Sequence, residues 1–320
     1  MTDSIIKSHE QDILERLEKR LGRIHARLRL GIENDNEQRV FGGGLNFFHI
    51  ENWYSVHSVI RNSLRLSGLY WRGRNNTRRV QVRHNNIRLA GLPPAFDDYT
   101  ILHISDMHID INQEAMHRLV ELIYDLDYDI CVLTGDYRGK TYGPIEKTIE
   151  GMAYVRSHMK DNVYGVLGNH DTVRLVPSFE DMGIAMLLNE SIKIERDNTF
   201  IHLVGIDDAH YYRVDNIEKA ASGVPHDEIS ILLSHTPEIY RQAAHADFNL
   251  MLSGHTHGGQ ICLPGQIPLT LDAKLPRHMG SGSWQYHNLT GYTSVGVGSS
   301  VVTVRFNCLP EITLHHLKCG

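Results

Sequence analysis

Short clusters of polar residues follow five separate apolar runs in the second half of the chain, and this arrangement restricts the fold more than any other feature. The clusters are Ser105-Asp106-Met107-His108, Gly135-Asp136, Gly168-Asn169-His170-Asp171, Ser234-His235 and Gly254-His255-Thr256-His257. Each comes directly after a run with the length and composition of a buried strand. Because ligands bind outside the carboxyl ends of the strands in open α/β sheets, we expect the five clusters to meet in space.

The apolar runs alternate with helical patterns, which is typical of an α/β fold. From residue 99 onward we predict strands at 101–104, 130–133 and 163–167, with helices at 114–126 and 145–158 between them. The later part is richer in strands, at 200–206, 229–233, 250–252 and within 293–315. This order predicts a core of two sheets flanked by helices.

The composition is that of a folded chain with a sizeable core. Of the 320 residues, 41% are hydrophobic and 22% are charged, and no run approaches the roughly 18 apolar residues of a membrane span. The first ten residues also lack the apolar run of a signal peptide. The four cysteines form no Cys-x-x-Cys pair. We therefore expect a cytoplasmic protein with reduced thiols.

Charge divides the chain into two regions. Residues 1–96 contain 16 Lys and Arg against 9 Asp and Glu, whereas residues 97–320 contain 16 against 29. We predict a basic, mainly helical extension over residues 1–80 and a catalytic domain over residues 81–320, entered through a β-hairpin that turns at residues 84–86. An acidic body repels polyanions, which argues against nucleic acid as the main substrate.

The extension contains two amphipathic patterns. Leucine and isoleucine recur at helical spacing over residues 12–30, which predicts one basic helix. It docks on its own body in our first interpretation; a homodimer seam and membrane contact are the alternatives. Asn52 is predicted to cap a second helix, which continues into an aromatic and arginine-rich segment around Trp71. That segment either binds an anionic membrane surface or packs on the catalytic body.

The clusters offer two kinds of metal donor. Aspartate and asparagine supply oxygen, histidine supplies nitrogen, and 21 histidines are an unusually large number for this length. A mixed set of oxygen and nitrogen donors suits manganese, iron, zinc or a related divalent ion. We expect a divalent metal site and favour manganese.

In this order the clusters resemble the calcineurin-like metallophosphoesterase superfamily, over residues 87–317. The continuation Gly258-Gly259-Gln260 makes the last motif similar to Gly-His-Thr-His-Gly-Gly-Gln of a bacterial phosphodiesterase branch, several members of which are membrane-associated. The resemblance implies a four-layer fold, in which a two-sheet β-sandwich is flanked by helices, and a metal-dependent phosphoesterase activity.

The resemblance also implies ligands for two divalent ions. Those of the first ion are Asp106, His108, Asp136 and His257. Those of the second are Asp136, Asn169, His235 and His255. A carboxylate shared by two ions suits the separation that an in-line displacement requires, and a hydroxide bridging both ions would attack phosphorus.

His170 and Asp171 are the predicted catalytic residues. The resemblance leaves His170 to face the substrate phosphate, where an imidazolium stabilises phosphoryl charge or protonates the leaving oxygen. We expect the Asp171 carboxylate to orient His170 and favour its charged form.

A further polar pair, Asp207 and Asp208, follows another predicted strand. We interpret the pair as a structural turn, with a role near the substrate as the alternative. His202 and His210 lie on either side of the pair and are interpreted as ordinary core or surface histidines.

The leading hypothesis is a binuclear phosphohydrolase that cleaves phosphodiester or diphosphate bonds. Its substrate is a phosphorylated small molecule or a lipid-linked phosphate, the latter at the inner face of the membrane. The alternatives are a nuclease, which the basic extension favours and the acidic body disfavours, and a non-catalytic metal-binding scaffold.

Overall fold

The computed structural model describes residues 2–41, 54–300 and 302–320. Within this part the α-helices are α1 (Thr2–Leu21), α2 (Arg23–Phe41), α3 (Tyr54–Leu66), α4 (Leu69–Asn76), α5 (Gln113–Tyr124), α6 (Glu146–Arg156), α7 (Val176–Asp181), α8 (Ile217–Ala221) and α9 (Tyr240–His245). The strands are β1 (Gln81–Leu89), β2 (Thr100–Ile104), β3 (Ile130–Leu133), β4 (Val163–Gly165), β5 (Ile184–Met186), β6 (Glu190–Arg196), β7 (Thr199–Gly205), β8 (Ser230–Leu233), β9 (Leu250–Ser253), β10 (Cys262–Leu263), β11 (Ile267–Pro268), β12 (Gly282–Tyr286), β13 (Leu289–Thr293) and β14 (Glu311–Cys319).

The strands form two six-stranded sheets and one short hairpin. The first sheet has the order β1-β14-β2-β3-β4-β5 and the second has the order β12-β13-β9-β8-β7-β6, while β10 pairs with β11. Neighbouring strands run parallel from β2 to β5 and from β7 through β8 to β9. Their carboxyl ends therefore lie along one edge of each sheet.

Alternation along each strand divides the core into layers. Ile101 of the first sheet and Leu203 of the second belong to the apolar layer between the sheets. Leu102, next to Ile101, faces the opposite way and packs in a layer with helices α5 and α6. Met251 of the second sheet packs in a third layer with residues of α8 and α9. This confirms the predicted α/β fold of two sheets flanked by helices.

The predicted hairpin at the start of the catalytic domain is wrong. Residues 81–89 form one continuous strand, β1, which pairs in parallel with β14 over nine positions. The polar residues expected to turn are held in the strand by cross-strand contacts, with Asn85 Nδ2 3.1 Å from His315 Nδ1. A partner 230 residues away in the sequence thus overrides the local preference for a turn.

The predicted helix over residues 12–30 is broken at Gly22. This glycine has a φ of +85° and separates α1 from α2, because a left-handed residue cannot continue a helix. The break also divides the predicted apolar face: Leu17 and Leu21 are buried, whereas Ile24 is 81% exposed and Leu28 is 52% exposed. Whether these two exposed residues pair two chains stays a prediction.

Helix α1 docks on the body of the protein, as our first interpretation expected. Arg20 Nε lies 2.8 Å from Glu180 of α7, and Arg20 Nη1 lies 2.6 Å from Glu190 of β6. The predicted cap Asn52 lies outside the described residues, and α3 is described from Tyr54 onward. Among the described helices, none has the length and apolarity needed to cross a bilayer.

Candidate metal centre

The structure brings all five polar clusters together at the carboxyl ends of parallel strands. Three clusters follow β2, β3 and β4 of the first sheet, and two follow β8 and β9 of the second. Each strand supplies a buried apolar run that fixes the position of the turn after it. The site therefore lies where the edges formed by the carboxyl ends of these strands meet in the two sheets.

The turns that carry the clusters have strained backbones. Asp106, His108, Asp136, His255 and His257 all have positive φ angles, between 43° and 71°. Non-glycine residues rarely adopt this conformation, and such residues concentrate at functional sites. The donor atoms that these turns carry lie within 4.8 Å of one another in each of two groups.

Glycines let the turns approach each other closely. A Cβ on Gly168 would lie 2.2 Å from Asp136 Oδ1, and one on Gly254 would lie 1.9 Å from Ser105 Oγ and 2.3 Å from Asp106 Oδ2. No side chain fits at these distances. The glycines that begin the third and fifth clusters are therefore required by the packing of the site itself.

The first donor group consists of Asp106, His108 and His257, whose donor atoms lie within 4.8 Å of one another. His108 Nε2 is 3.0 Å from His257 Nε2, which is 3.5 Å from Asp106 Oδ1. The Asp106 carboxylate is fixed by Ser105 Oγ at 2.6 Å and by the backbone N–H of His255. All three ligand side chains are buried.

The second donor group consists of Asp136, His235 and His255, again within 4.8 Å. His235 Nε2 lies 3.3 Å from Asp136 Oδ2 and 3.3 Å from His255 Nδ1. Asn169 Oδ1 lies 2.9 Å from the same His235 nitrogen, so the amide oxygen belongs to this group. The structure thus places all seven predicted ligands in two adjacent groups.

Asp136 lies between the two groups. Its Oδ2 atom is 3.3 Å from His235 Nε2 in the second group and 4.0 Å from His108 Nε2 in the first. Its Oδ1 atom accepts a hydrogen bond from the backbone N–H of His170 at 2.9 Å. One carboxylate oxygen therefore lies within 4.0 Å of a donor atom in each group; that two ions share it stays a prediction.

The protonation of the histidines fits a bound cation. His108 Nδ1, His235 Nδ1 and His255 Nε2 each lie 2.7 to 2.8 Å from a backbone carbonyl oxygen. A carbonyl only accepts, so these ring nitrogens carry hydrogen, and each ring in its neutral form directs the lone pair of its other nitrogen into the site. Facing lone pairs and carboxylates repel one another unless a cation lies among them.

The pKa shifts agree with this arrangement. Burial lowers the pKa of His108, and burial lowers that of His255 well below its ordinary value. Burial would also lower the pKa of His235, but the adjacent Asp136 outweighs it and raises this pKa to about 10. A proton on His235 and a divalent ion are alternative ways to neutralise Asp136, so a bound ion would displace that proton.

His170 lies beside the donor groups, but its partner is not the one predicted. Its Nε2 atom is 4.0 Å from Asp136 Oδ2, and its ring makes an edge contact with His108. The hydroxyl of Thr141 lies 2.8 Å from His170 Nδ1. Thr141, on the loop after β3, therefore orients the ring, and nothing in its own sequence context indicated that role.

Asp171 positions the backbone and does not orient His170. Its carboxylate accepts hydrogen bonds from the N–H groups of Asp136 at 2.7 Å, Tyr137 at 2.9 Å and Gly168 at 2.8 Å. The adjacent side chain was predicted to face His170, but consecutive side chains in this loop point to different partners. Asp171 is therefore a positioning residue that joins the loop after β3 to the loop after β4.

Comparison with known proteins decides the family. A family model described as calcineurin-like phosphoesterase matches residues 99–259, which include all seven predicted ligands. The chain belongs to this family. Together with the two donor groups, membership makes the chain a metal-dependent phosphoesterase.

Three relatives show the extent of the similarity. The phosphoesterase is 31% identical over 260 residues to the metallophosphoesterase YkoQ of Bacillus subtilis strain 168, across 77% of this chain and 94% of YkoQ. It is 30% identical over 245 residues to a transmembrane protein with a metallophosphoesterase domain from Bos taurus, across 69% of this chain and 53% of that protein. It is 25% identical over 250 residues to the phosphodiesterase YaeI of Escherichia coli K12, across 74% of this chain and 87% of YaeI.

Arg305 is a residue of the phosphoesterase site that the sequence did not indicate as functional. It is fully buried, and its Nη2 atom lies 3.3 Å from His257 Nδ1. The same atom donates to the carbonyl oxygens of Val295 and Gly298, both at 2.7 Å. Arg305 therefore fixes the loop behind a predicted metal ligand. Only the tertiary structure reveals this, because 48 residues separate Arg305 from His257.

His210 is also nearer to the site than we predicted. Its ring centroid lies 4.3 Å from that of His255, and its Nδ1 atom lies 2.6 Å from Glu238 Oε2. Glu238 raises the pKa of His210 in spite of burial, which acts in the opposite direction. The ring of His210 therefore packs directly against a predicted metal ligand.

The two aspartates after β7 have different roles. Asp208 accepts backbone hydrogen bonds from His210, Tyr211 and Tyr212 at 2.6 to 3.2 Å, which confirms the structural turn. Asp207 instead lies 3.5 Å from Arg29 Nε and 3.0 Å from His25 Nε2, both in helix α2. No pattern in the sequence predicted that the N-terminal region reaches this turn.

Proposed function

We propose that this phosphoesterase binds two divalent ions, one in each donor group, and hydrolyses phosphodiester or diphosphate bonds. The observation that carries the proposal is the position of Asp136, whose Oδ2 atom contacts both groups. A shared carboxylate is how a protein holds two ions close enough to act on one phosphate. Donors that combine oxygen with imidazole nitrogen suit manganese, iron and zinc, and manganese is the one that we favour.

The predicted ligands have distinct tasks in this proposal. Bound ions would neutralise the charge of the phosphate oxygens and acidify an attacking water. The chain keeps the donors in register through the strained turns and through Asp171 and Arg305. Thr141 holds His170 so that its Nε2 atom can donate a proton to the leaving oxygen.

The preference for diesters or diphosphates over monoesters is the finer part of the proposal. The relative YaeI is named a phosphodiesterase, and its similarity supports this class of substrate. The same pair of donor groups also suits monoesters, so the comparison of ester classes belongs in the first experiment.

The experiment removes the metal and returns it one ion at a time. After chelation, Mn²⁺, Fe²⁺ or Zn²⁺ is added singly, and turnover of an aryl phosphodiester, a diphosphate and an aryl phosphomonoester is measured. We expect turnover to disappear with chelation and return with at least one ion, fastest on the diester or diphosphate. Absence of metal-restored turnover on every ester would overturn the proposal, and metal binding alone would leave the scaffold alternative. Salt-dependent cleavage of DNA or RNA would instead support a nuclease.

We also propose that the substrate is lipid-linked and that residues of the N-terminal region bind an anionic membrane surface. Residues 54–79 contain six arginines and no aspartate or glutamate. On this segment Leu66 is 90% exposed and Trp71 is 65% exposed. Exposed aromatic and aliphatic side chains among arginines are typical of a helix at the headgroup boundary.

A second apolar element lies close to this segment. Helix α4 packs through Gly73 against Phe306, and Phe306 pairs with Ile261 beside the β10–β11 hairpin. Leu263 and Ile267 of that hairpin are half exposed. The hairpin follows directly after the last metal cluster, so a bilayer that bound α4 and the hairpin would lie near the metal centre.

Sedimentation with vesicles tests the membrane proposal on the full chain. Trp71→Ser is compared with Tyr124→Ser, an aromatic on α5 that is more exposed still, at 81%, using vesicles of phosphatidylglycerol and phosphatidylcholine. We expect the wild type and Tyr124→Ser to sediment with anionic vesicles and Trp71→Ser to remain largely in the supernatant. Equal behaviour of all three proteins, or no binding at low salt, would refute membrane binding by this surface and leave the hydrolase proposal unaffected.

A further inference from the structure

Helix α2 places three polar residues against the loops of the metal centre. His25, Arg29 and Glu33 are spaced by four residues and so lie on one face of the helix. Arg29 is completely buried and Glu33 is nearly so. A helix that served only as an attached anchor would not bury an arginine and a glutamate inside the catalytic body.

Glu33 binds the chain directly after the third cluster. Its Oε2 atom accepts a hydrogen bond from Thr172 Oγ1 at 2.5 Å, and its Oε1 atom accepts one from the backbone N–H of Val173 at 2.8 Å. Val173 begins a short 3₁₀ helix. Glu33 therefore caps this turn from a different part of the chain and fixes the end of the loop that carries Asn169 and His170.

Arg29 binds the same loop one residue earlier. Its Nη2 atom donates to the carbonyl oxygen of Asp171 at 3.0 Å. The guanidinium lies 3.5 Å from the centroid of the Tyr212 ring, and its Nε atom lies 3.4 Å from Glu33 and 3.5 Å from Asp207. Two carboxylates and an aromatic ring thus balance one buried positive charge.

Asp207 connects α2 to a second loop of the site. Besides Arg29, the Asp207 carboxylate contacts His25 Nε2 at 3.0 Å, and it lies at the start of the loop that carries His210. The α2 residues therefore hold the loop after β4 and the loop after β7 together. These two loops supply Asn169 and His170 on one side and the His210 contact to His255 on the other.

The contacts form a continuous path to the metal ligands. Arg29 holds the carbonyl of Asp171, and the carboxylate of Asp171 holds the backbone N–H groups of Asp136 and Gly168. A shift of Asp171 would therefore move both Asp136 and the Gly168–His170 turn. A displacement of about 1 Å at a reacting group is enough to lower turnover by roughly 100-fold.

We infer that Arg29 and Glu33 of helix α2 are positioning residues of the phosphoesterase site and that α2 is part of the catalytic unit. The inference rests on the proposed hydrolase function only for its kinetic readout. The order of the loop is measured by hydrogen exchange, which needs no turnover. The N-terminal region then has two parts, α1–α2 that supports the site and α3–α4 that carries the arginine-rich surface.

The experiment compares Arg29→Met and the milder Arg29→Lys with Arg20→Met in the full chain. Arg20 is a matched control, because it also joins the N-terminal helices to the body through two carboxylates and the Met186 carbonyl. Turnover, KM, metal content, melting temperature and amide exchange of residues 168–173 are measured on each protein. Glu33→Leu and Glu33→Gln form a second pair, in which glutamine keeps an oxygen acceptor for the N–H of Val173.

We expect Arg29→Met and Glu33→Leu to lower kcat by roughly 10- to 100-fold with KM nearly unchanged. Amides 168–173 should exchange faster in both variants, and Arg29→Lys and Glu33→Gln should recover part of each effect. Arg20→Met should lower the melting temperature without changing kcat or that exchange. Unchanged exchange at 168–173 in Arg29→Met, or equal effects in Arg20→Met, would overturn the inference. A wild type without turnover would refute the hydrolase function, while the exchange comparison would still decide the role of α2.

Discussion

His108 Nε2 and His257 Nε2 lie 3.0 Å apart although 149 residues separate them in the chain. The first follows β2 of one sheet and the second follows β9 of the other. The two side chains therefore meet only because the carboxyl ends of these strands lie next to each other. Two imidazole nitrogens this close, with a carboxylate beside them, form half of the candidate metal centre.

Asp136→Asn is expected to remove metal from both donor groups. Asparagine keeps the shape but loses the negative charge that contacts both groups, so metal content should fall from two ions toward one or none. Turnover should fall by at least ~100-fold, since it depends on both ions. Elemental analysis after dialysis, together with kcat, checks the prediction. Two retained ions in Asp136→Asn would contradict a shared ligand.

His170→Ala is expected to separate catalysis from metal binding. The ring lies beside the donor groups but is not assigned to either, so both ions should remain bound. Loss of a proton donor should lower turnover by roughly 100- to 10,000-fold. Thr141→Val should also lower turnover, but by a smaller factor. The His170 ring remains in this variant and loses the hydroxyl that orients it. Metal loss in His170→Ala comparable to that in Asp136→Asn would rule out this division of roles.

Gly254→Ala is expected to disrupt the first donor group. The added Cβ would lie 1.9 Å from Ser105 Oγ and 2.3 Å from Asp106 Oδ2, so the Asp106 carboxylate has to move. Metal affinity should fall at least ~10-fold, which calorimetric titration with Mn²⁺ measures. Gly223→Ala is the control, because nothing lies within 4 Å of its added Cβ. The explanation fails if the two alanine variants bind Mn²⁺ equally well.

Asp207→Asn is expected to reduce stability in a pH-dependent way. Burial alone would raise the pKa of Asp207, but Arg29 and then His25 outweigh it and hold the pKa below its ordinary value of 3.8. A carboxyl group whose pKa is lower in the folded state than in the unfolded state stabilises the folded state at pH values above the unfolded-state pKa. This contribution is lost as the pH falls through the folded-state pKa. Wild type should therefore exceed Asp207→Asn by about 3 kcal/mol in free energy of unfolding at neutral pH.

Urea unfolding at a series of pH values checks this difference. The gap between wild type and Asp207→Asn should shrink once the pH falls below 3.8. Asp181→Asn, which alters an exposed ion pair with Arg16, should change the free energy of unfolding by less than about 1 kcal/mol at any pH. A gap that stays constant with pH would show that the Asp207 charge is not the source of the stabilisation.

The candidate metal ligands could be named from the sequence because each polar cluster is a local signal and the resemblance assigns its donors. An apolar strand followed at once by aspartate or histidine places a donor at a strand end, and the order of the clusters resembles a known family. The two-sheet fold was predictable for the same reason, since buried strands are short apolar runs. Asp171 was predicted as a member of the site but not in its role, which depends on the backbone groups around it.

The amino-acid sequence by itself determined the strands, the donor residues and the chemistry that they offer. Only the tertiary structure decided how those parts are supported: Thr141 against His170, Arg305 behind His257, and Arg29 and Glu33 of α2 behind the Gly168–Val173 loop. It also replaced the predicted hairpin by the single strand β1 beside β14. The physical reason is that ligand type follows from the residue and its neighbours, whereas buried polar groups must find partners. Those partners come from whatever distant segment the fold packs against them.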